Sequence, residues 1–256
     1  MPRVSVIMPA YNSEKTISEA ISSVLGQTFA DFELIIVNDC STDGTIEIIN
    51  GFAESDPRII VINNDENSGV SYSRNAAIAA ARGEWIAFLD SDDMWREDKL
   101  ASQLRLMENN PESDICYTAS AFVDADGKPY GYILTAQERT YHSTLIRKNL
   151  LSCSSVMIRA SVMKGIKMPS DKMHEDYFTW LTVLKNGGYA CGINEPMLIY
   201  RLSENSKSSS RIKSAKMLYR TYRAVGYSMF TATLYVAGYF KHSVTKRYKI
   251  RTSGEA

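Results

Sequence analysis

Four consecutive polar residues, Asp90-Ser91-Asp92-Asp93, are of the types and spacing that bind cations. Carboxylates this close together repel one another unless a cation or hydrogen-bond donors offset their charge. Hard oxygen ligands of this kind suit Mg²⁺ or Mn²⁺, each of which is held by few protein carboxylates together with phosphate oxygens. The alternative is a helix N-cap, a common use of Asp. The cluster therefore predicts either a divalent-metal site or the start of a helix.

A second polar segment runs from Asn38 to Thr45 with the sequence NDCSTDGT. An Asp at the end of a strand, such as Asp39, is able to accept a hydrogen bond from the imide N–H of uracil. The alternative is an Asx turn that leads into a helix cap formed by Ser41 and Asp43. Both interpretations stay open on these residues alone.

The elements that position these segments follow from the pattern of apolar residues. Short apolar runs alternate with amphipathic stretches, which predicts an α/β fold with a mostly parallel central sheet flanked by helices. Strands are expected at Val4–Met8, Leu34–Val37, Ile59–Ile62 and Trp85–Leu89, with helices over 14–25, 45–53 and 70–81 between them. Polar clusters follow three of these strands, and ligands of open parallel sheets bind beyond the carboxyl ends of the strands. We therefore expect an active site at this edge.

The second half of the sequence is less regular. Helices are expected over 97–109 and 176–185, and strands are expected within 114–123 and at 154–158, 190–193 and 197–200. The region from Asp124 to Leu151 stays open beyond a turn at its start.

Charge is distributed unevenly although the formal net charge is zero. Between Asn205 and Gly254 there are 11 Lys and Arg and no Asp or Glu. Ala224 to Phe240 carries no charge, and its 17 positions lie at the lower limit of the roughly 17–25 needed to span a membrane. Basic flanks and many tyrosines favour a segment that lies at a membrane interface. The alternatives are a helix packed on the preceding domain and, less favoured, a true span.

The four cysteines are widely scattered and form no C-x-x-C pair, which favours a reducing compartment. The N-terminal apolar run ends at Pro9 and is too short for the core of a secretory signal. We therefore expect a cytoplasmic protein. The acidic body argues against a nucleic-acid partner, because it would repel a phosphate backbone.

The ordered motifs resemble family 2 glycosyltransferases with the GT-A fold. The resemblance rests on VSVIMPAYN at 4–12, NDCSTDGT at 38–45, NSGVSYSRNAAIAAAR at 67–82, GEWIAFLDSDD at 83–93, and Glu175-Asp176. It covers roughly the first hundred residues densely and Leu151–Arg201 more sparsely. A dinucleotide-binding fold is excluded, since Pro9-Ala10-Tyr11-Asn12 follows the first strand in place of a G-x-G-x-x-G turn.

The resemblance implies a role for each matching residue of the donor site. Pro9, Ala10 and Tyr11 would line the uridine pocket, and Asp39 would bind the base. Arg74 would lie near the donor diphosphate, where a fixed positive charge favours phosphate. In the acidic cluster, Asp90 would contact the ribose or a metal-bound water, Ser91 would contact the donor, Asp92 would hold Mn²⁺ or Mg²⁺, and Asp93 would assist.

The resemblance also implies roles for residues on the acceptor side of the site. Glu175-Asp176 would supply the general base, with Asp176 as the proton acceptor. His174 and Trp180 would be acceptor contacts, although a lone His is more often structural and a Trp at this spacing is often core.

The implied activity is transfer of a single sugar from a UDP-sugar, with inversion, to a hydroxyl of a glycan or lipid-linked oligosaccharide. Many members of the family build bacterial surface polysaccharides. The expected organisation is a catalytic domain over 1–204, with a nucleotide-sugar half at 1–95 and an acceptor half at 96–204. A basic helical tail at 205–256 would attach to the inner face of the cytoplasmic membrane.

Two departures from the family pattern stand beside these expectations. Ser203 occupies the position where the family often has a His near the metal, and the Gln-x-x-Arg-Trp motif of processive members is absent. The alternatives kept open are a catalytically inactive nucleotide-sugar-binding module and a nucleotidyltransferase. The identity of the sugar, UDP versus dTDP, the linkage and the oligomeric state stay undetermined by the sequence.

Overall fold

The computed structural model describes residues 1–202 and 211–239. The part of the chain that it describes forms one mixed sheet flanked by helices. Its strands are β1 Val4–Ala10, β2 Phe32–Asn38, β3 Ile59–Asn63, β4 Trp85–Phe88, β5 Met94–Trp95, β6 Ile115–Val123, β7 Pro129–Leu134, β8 Arg139–Thr140, β9 Met157–Arg159 and β10 Ala190–Arg201.

The helices lie on both faces of this sheet. They are α1 Ile17–Leu25, α2 Thr45–Ser55, α3 Val70–Ala80, α4 Lys99–Glu108, α5 His142–Leu145, α6 Ala160–Met163, α7 Glu175–Lys185 and α8 Arg211–Val225. A further helix is described from 229 to 239.

The strand order is β3-β2-β1-β4-β9-β6-β10-β5, with β7 paired to β6 and β8 paired to β10. The first four strands in this order are mutually parallel, as their continuous apolar runs predict. Strand β9 then runs antiparallel between β4 and β6, so the second half of the sheet is mixed. The parallel part brings the carboxyl ends of β1, β2 and β4 to one edge.

The first helix begins later than the sequence indicated. The pattern placed its start at Glu14 after a Ser13 cap, but α1 begins at Ile17 with Thr16 as its N-cap. The Ser13 carbonyl instead accepts the N–H groups of Thr16 and Ile17 in a tight turn. Ser13 therefore lies in the loop that follows β1, where its hydroxyl is within 2.7 Å of the Ser91 hydroxyl.

Part of the predicted tail packs against α7. Helix α8 buries Leu218, Tyr222 and Val225 in the same core cluster as Trp180 of α7. The Tyr222 hydroxyl donates a 2.9 Å hydrogen bond to the Ile146 carbonyl. The packed-helix alternative therefore holds for α8, while 203–210 and 240–256 lie outside the described residues.

Across the described ranges, we find no helix with the length and apolar character needed to cross a membrane.

Candidate active site

The loops after β1 and β2 form one wall of the polar edge. Tyr11 follows β1 directly and is 47% exposed, whereas Pro9 and Ala10 are buried within the strand. The Thr42 N–H donates to Oδ1 of Asn12 at 2.8 Å, which ties the two loops together. Asn12 and Cys40 adopt positive φ angles of 48° and 58°, a left-handed geometry that non-glycine residues rarely take outside functional turns. The edge therefore presents the exposed Tyr11 side chain beside two turns that are joined by a hydrogen bond.

Asp39 is a buried residue that directly follows β2, and its carboxylate already accepts several hydrogen bonds. Its Oδ1 accepts hydrogen bonds from Asn64 Nδ2 at 2.7 Å and Ser68 N–H at 2.9 Å. Its Oδ2 accepts the Gly69 N–H at 2.8 Å. Each carboxylate oxygen has two lone pairs, so Oδ2 keeps capacity for one further donor. The role of Asp39 in binding a uracil imide stays a prediction.

The acidic cluster after β4 lies at the same edge, and the helix-cap alternative for it is wrong. The residues that follow it form strand β5, while the next helix, α4, begins only at Lys99. The Asp90 N–H donates to the Ser154 hydroxyl at 3.1 Å, and Asp93 Oδ1 accepts the Arg201 N–H at 2.9 Å. The cluster is therefore fixed from two other parts of the chain.

The carboxylates of this cluster carry more negative charge than their surroundings offset. Burial, together with the charge of Asp90, raises the pKa of Asp92 to about 6. Burial and the charges of both neighbours raise the pKa of Asp93 well above its usual range. Asp93 Oδ2 also has no hydrogen-bond partner among the described residues. A bound cation would lower the pKa of Asp92 and of Asp93 and would offset the negative charge at the unpaired Asp93 Oδ2.

The donor set fits a metal that brings other ligands with it. Among the described residues no group of three or more His, Cys, Asp or Glu side chains is arranged to enclose a metal. Mg²⁺ and Mn²⁺ at diphosphate sites use one or two carboxylates plus phosphate oxygens, so Asp92 and Asp90 suffice as protein ligands. Ser203, at the position of the family's His, lies outside the described residues.

Arg74 of α3 joins the acidic cluster to the second acidic pair. Its guanidinium donates to Asp90 Oδ1 at 2.5 Å and to Glu175 Oε1 at 2.9 Å, and the side chain is 4% exposed. Burial alone would lower the pKa of Arg74, but the neighbouring negative charges, led by Asp90, raise it well above its usual value. The sequence predicted a contact with the donor diphosphate. The structure shows both terminal nitrogens bound to carboxylates, and the diphosphate contact stays a prediction.

Asp176 is the second residue of α7 and lies beside Glu175. Its Oδ1 accepts its neighbour's N–H, that of Tyr177, at 2.7 Å. Burial, and then the charge of Glu175, raises the pKa of Asp176 above its ordinary value. A carboxylate with a raised pKa is a better proton acceptor, provided that it is ionised at the working pH.

The two predicted acceptor contacts have different outcomes. Trp180 is 0% exposed, and its ring packs edge-on against Phe88 at a centroid distance of 5.6 Å. It is therefore a core residue, and its assignment to the acceptor site is wrong because no face of the ring reaches solvent. His174 is half-buried between α7 and α8, with Nε2 at 3.5 Å from the Ser214 hydroxyl, and its contact with an acceptor stays a prediction.

Arg201, for which the sequence predicted no role, braces the acidic cluster. Its Nε donates to the Asp92 carbonyl at 3.1 Å, and its terminal nitrogens bind the Ala125 carbonyl and Glu19 Oε2. The available signal was its place in the segment Tyr200-Arg201-Leu202-Ser203, directly after a predicted strand. Ser154 was likewise missed, because nothing in the local pattern marks a Ser near position 154 as a neighbour of Asp90.

Comparison with known proteins decides the family. The model of "Glycosyl transferase family 2" matches residues 5–171. The chain belongs to this family. The family 2 match includes the loops after β1, β2 and β4 and ends just before α7.

Two curated relatives of this family 2 chain cover most of its length. The putative teichuronic acid biosynthesis glycosyltransferase TuaG of Bacillus subtilis is 39% identical over 96% of this chain and 98% of its own length. An Escherichia coli protein, the UDP-Glc:alpha-D-GlcNAc-diphosphoundecaprenol beta-1,3-glucosyltransferase WfgD, is 37% identical over 83% of this chain and 82% of its own. This family 2 glycosyltransferase is thus similar to one protein named for teichuronic acid biosynthesis and to another named for glucosyl transfer to a diphosphoundecaprenol-linked GlcNAc.

Two solved structures share its fold. Residues 1–349 of Staphylococcus aureus TarS in complex with UDP-GlcNAc superpose with a TM-score of 0.74 at 24% identity, covering 94% of this chain and 72% of that one. The mannosyltransferase PcManGT from Pyrobaculum calidifontis in complex with GDP-Man and Mn²⁺ superposes with a TM-score of 0.68 at 19% identity, covering 99% of this chain and 73% of that one. The predicted GT-A fold is confirmed.

Proposed function

We propose that this family 2 glycosyltransferase moves a single sugar from a UDP-sugar to a hydroxyl of a lipid-linked glycan, with inversion at the anomeric carbon. The observation that carries the proposal is the ion-paired link from Asp90 through Arg74 to Glu175. It sets the acidic loop after β4 beside the start of α7. A donor diphosphate held at the loop and an acceptor hydroxyl held at α7 would then face each other.

The donor would lie along the polar edge. Tyr11 offers an exposed aromatic ring to stack on uracil, and Asp39 Oδ2 offers a lone pair to the imide N–H. Pro9 and Ala10 would form the floor of the pocket, and Ser91 would contact the ribose side. The relatives named for UDP-Glc support a uridine nucleotide as the donor.

Asp92, assisted by Asp90, would hold a divalent cation, Mn²⁺ or Mg²⁺. When bound, such an ion supplies positive charge that stabilises a departing nucleoside diphosphate. The uncompensated carboxylates described above support this assignment, and so does the Mn²⁺ in the archaeal mannosyltransferase structure.

Asp176 would act as the general base. Sugar hydroxyls are weak nucleophiles, and removal of the proton by a positioned carboxylate accelerates transfer by roughly 10²–10⁴. The proton passes from the acceptor hydroxyl to Asp176 as the oxygen attacks the anomeric carbon from the face opposite the diphosphate. Glu175 is held by Arg74 and would keep the side chain of Asp176 in position. His174 would contact the acceptor.

A lipid-linked acceptor is supported by the name of WfgD, whose acceptor is a sugar diphospholipid. Such an acceptor resides in a membrane, which would place this enzyme at the inner face of the cytoplasmic membrane. The basic residues of α8 and the exposed apolar side chains of the 229–239 helix would face the lipid headgroups.

Donor hydrolysis and transfer assays with a panel of nucleotide sugars test the proposal, with Mn²⁺, Mg²⁺ or a chelator present. We expect one UDP-sugar to be turned over only with metal. Asp92→Ala should lose donor binding, and Asp176→Asn should bind the donor without transferring the sugar. Asp126→Asn, which removes a carboxylate from an exposed turn, is the matched control and should behave like the parent.

Failure of every nucleotide sugar to bind, with or without metal, would contradict the proposal. Turnover by Asp176→Asn at the parent rate would remove Asp176 from the mechanism.

A further inference from the structure

Helix α8 borders two adjoining cavities that the proposed chemistry does not use. The first, of about 510 Å³, has as its basic lining Lys172, Lys213, Lys216 and Arg220. The second, of about 380 Å³, again includes Lys216 and Arg220 and is also lined by Tyr219 and Val236. We call the two cavities together the α8 groove. Its shared wall is the pair Lys216 and Arg220.

The α8 groove is positively charged. Its acidic member, Asp171, is engaged at the start of α3, where its carboxylate accepts the Val70 N–H at 3.2 Å and the Ser71 N–H at 3.0 Å. The helix dipole and these donors offset that negative charge. Lys172, Lys216 and Arg220 are exposed along the groove. An anion therefore gains from entering it.

The α8 groove opens beside the segment that leads into α7. The N–H of His174 donates to the Thr221 hydroxyl of α8 at 3.1 Å, and the His174 ring meets Ser214 of the same helix. Lys216 and Arg220, which are one turn apart, lie on another face of α8, where Arg220 Nη1 donates to the Lys172 carbonyl at 3.4 Å. Lys172 lies two residues before His174 in the sequence. An anion bound at Lys216 would thus lie beside the segment that precedes the proposed base.

The far end of the α8 groove is apolar. Val236 lines the second cavity, and Met229, seven residues earlier, lies on the same face of the 229–239 helix. Met229 is 66% exposed, and Phe230 and Leu234, which project from the neighbouring face of the helix, are 75% and 55% exposed. Exposed apolar side chains on a helix that borders a cationic cavity match a ligand with a charged head and a hydrocarbon chain.

We propose that the α8 groove binds the diphosphate of the lipid-linked acceptor. The phosphates lie against Lys216 and Arg220, and the hydrocarbon chain passes over the 229–239 helix. This inference rests on the proposed function, because it assigns the acceptor of the same reaction to a place on the chain. Diphosphate held there directs the first sugar of the acceptor towards Asp176.

Direct binding of farnesyl diphosphate tests the assignment without requiring turnover. Titrations are run by calorimetry in the presence of saturating UDP and Mn²⁺, so that the donor's own diphosphate site is filled. We expect Lys216→Gln to weaken binding about tenfold, which corresponds to about 1.4 kcal/mol. Farnesol, which lacks the diphosphate, should bind the parent and Lys216→Gln alike.

Arg105→Gln is the matched control, since Arg105 is an exposed basic residue on α4, against the opposite face of the sheet. It should bind farnesyl diphosphate like the parent. Lys216 is itself exposed, so its substitution leaves the core intact, and equal melting temperatures verify this for both variants.

Equal affinity of the parent and Lys216→Gln for farnesyl diphosphate would overturn the assignment. So would binding that UDP abolishes, because the ligand would then occupy the donor site. Vesicles of phosphatidylglycerol form the second arm. Lys216→Gln that loses vesicle binding but keeps farnesyl diphosphate binding would make the groove a membrane-docking surface instead. If the protein turns over no nucleotide sugar but binds farnesyl diphosphate in a Lys216-dependent way, the diphosphate site in the α8 groove is supported and the proposed transferase activity is refuted.

Discussion

Arg74 Nη1 lies 2.9 Å from Glu175 Oε1, joining residues that are 101 positions apart in the sequence. The other terminal nitrogen of Arg74 binds Asp90. The guanidinium fork therefore sets the spacing between the proposed donor loop and the proposed base. This spacing must be held within a fraction of an ångström for efficient transfer.

Arg74→Lys should impair catalysis while it keeps the charge. A lysine has one ammonium in place of a fork, so it cannot bind Asp90 and Glu175 in the same geometry. We expect the transfer rate to fall about 10²-fold, as for other small displacements of reacting groups. Steady-state kinetics measure this effect. Arg58→Lys, which alters a pair with Asp56 at the protein surface, is the control and should keep the parent rate. Parent-like transfer by Arg74→Lys would show that the fork does not set the spacing.

Asp176→Asn should reduce transfer by roughly 10²–10⁴ without loss of donor affinity. The base must be ionised, and its pKa is raised by burial and by Glu175. The pKa that describes the acidic limb of kcat against pH should therefore lie above the ordinary pKa of an Asp. Activity should rise as the pH increases through this pKa. The profile is measured at saturating donor and metal. A rate that stays level down to the ordinary pKa of Asp would argue against Asp176 as the base.

Arg201→Gln should weaken donor binding. The side chain braces the Asp92 carbonyl, the turn at Ala125 and Glu19 of α1, and a glutamine is too short to reach all three. We expect the KM for the donor to rise about tenfold and the protein to lose about 2 kcal/mol of stability. Arg96→Gln is the control, because it removes a surface arginine that also pairs with two carboxylates, Asp98 and Glu195. An equal rise of KM in both variants would mean that the brace is not specific to the donor site.

Lys99 predicts a pH dependence of stability. The side chain is fully buried, and its Nζ donates a 2.6 Å hydrogen bond to Gln103 Oε1. The same atom lies 4.0 Å from the centroid of the Trp95 ring. Burial lowers the pKa of Lys99 to about 7. The unfolded chain then binds more protons than the folded one between the folded pKa and the ordinary pKa near 10.4. The free energy of unfolding should therefore rise with pH through that window.

Lys99→Met should flatten this rise and stabilise the protein near pH 7, because no proton has to be removed on folding. Urea unfolding at several pH values measures both effects. Lys148→Met replaces an exposed lysine and should leave the slope unchanged. The prediction is wrong if Lys99→Met retains the slope of the parent.

The strands and most helices followed from local pattern. Continuous apolar runs such as Leu34–Val37 form buried parallel strands, since both faces of the sheet are covered by helices. The order of the motifs was enough to predict the family and the GT-A fold. The strands and helices depend on backbone geometry and on the period of apolar residues, which neighbouring residues set, whereas the family and the GT-A fold followed from the resemblance of the motifs.

Errors arose where one residue type serves two uses. Trp180 has the spacing of a core position and the chemistry of a sugar platform, and only the packing against Phe88 decides between them. The acidic cluster looked equally like a helix cap, until the structure placed β5 after it.

The sequence by itself determined the alternation of strands and helices, the polar edge after β2, β3 and β4, and the acidic residues Asp90, Asp92 and Asp176. Tertiary structure alone decided which of these residues meet. The Arg74 link, the Arg201 brace and the docking of α8 against α7 join residues that are between 16 and 182 positions apart. Their geometry depends on how whole elements pack, and no local pattern carries that information.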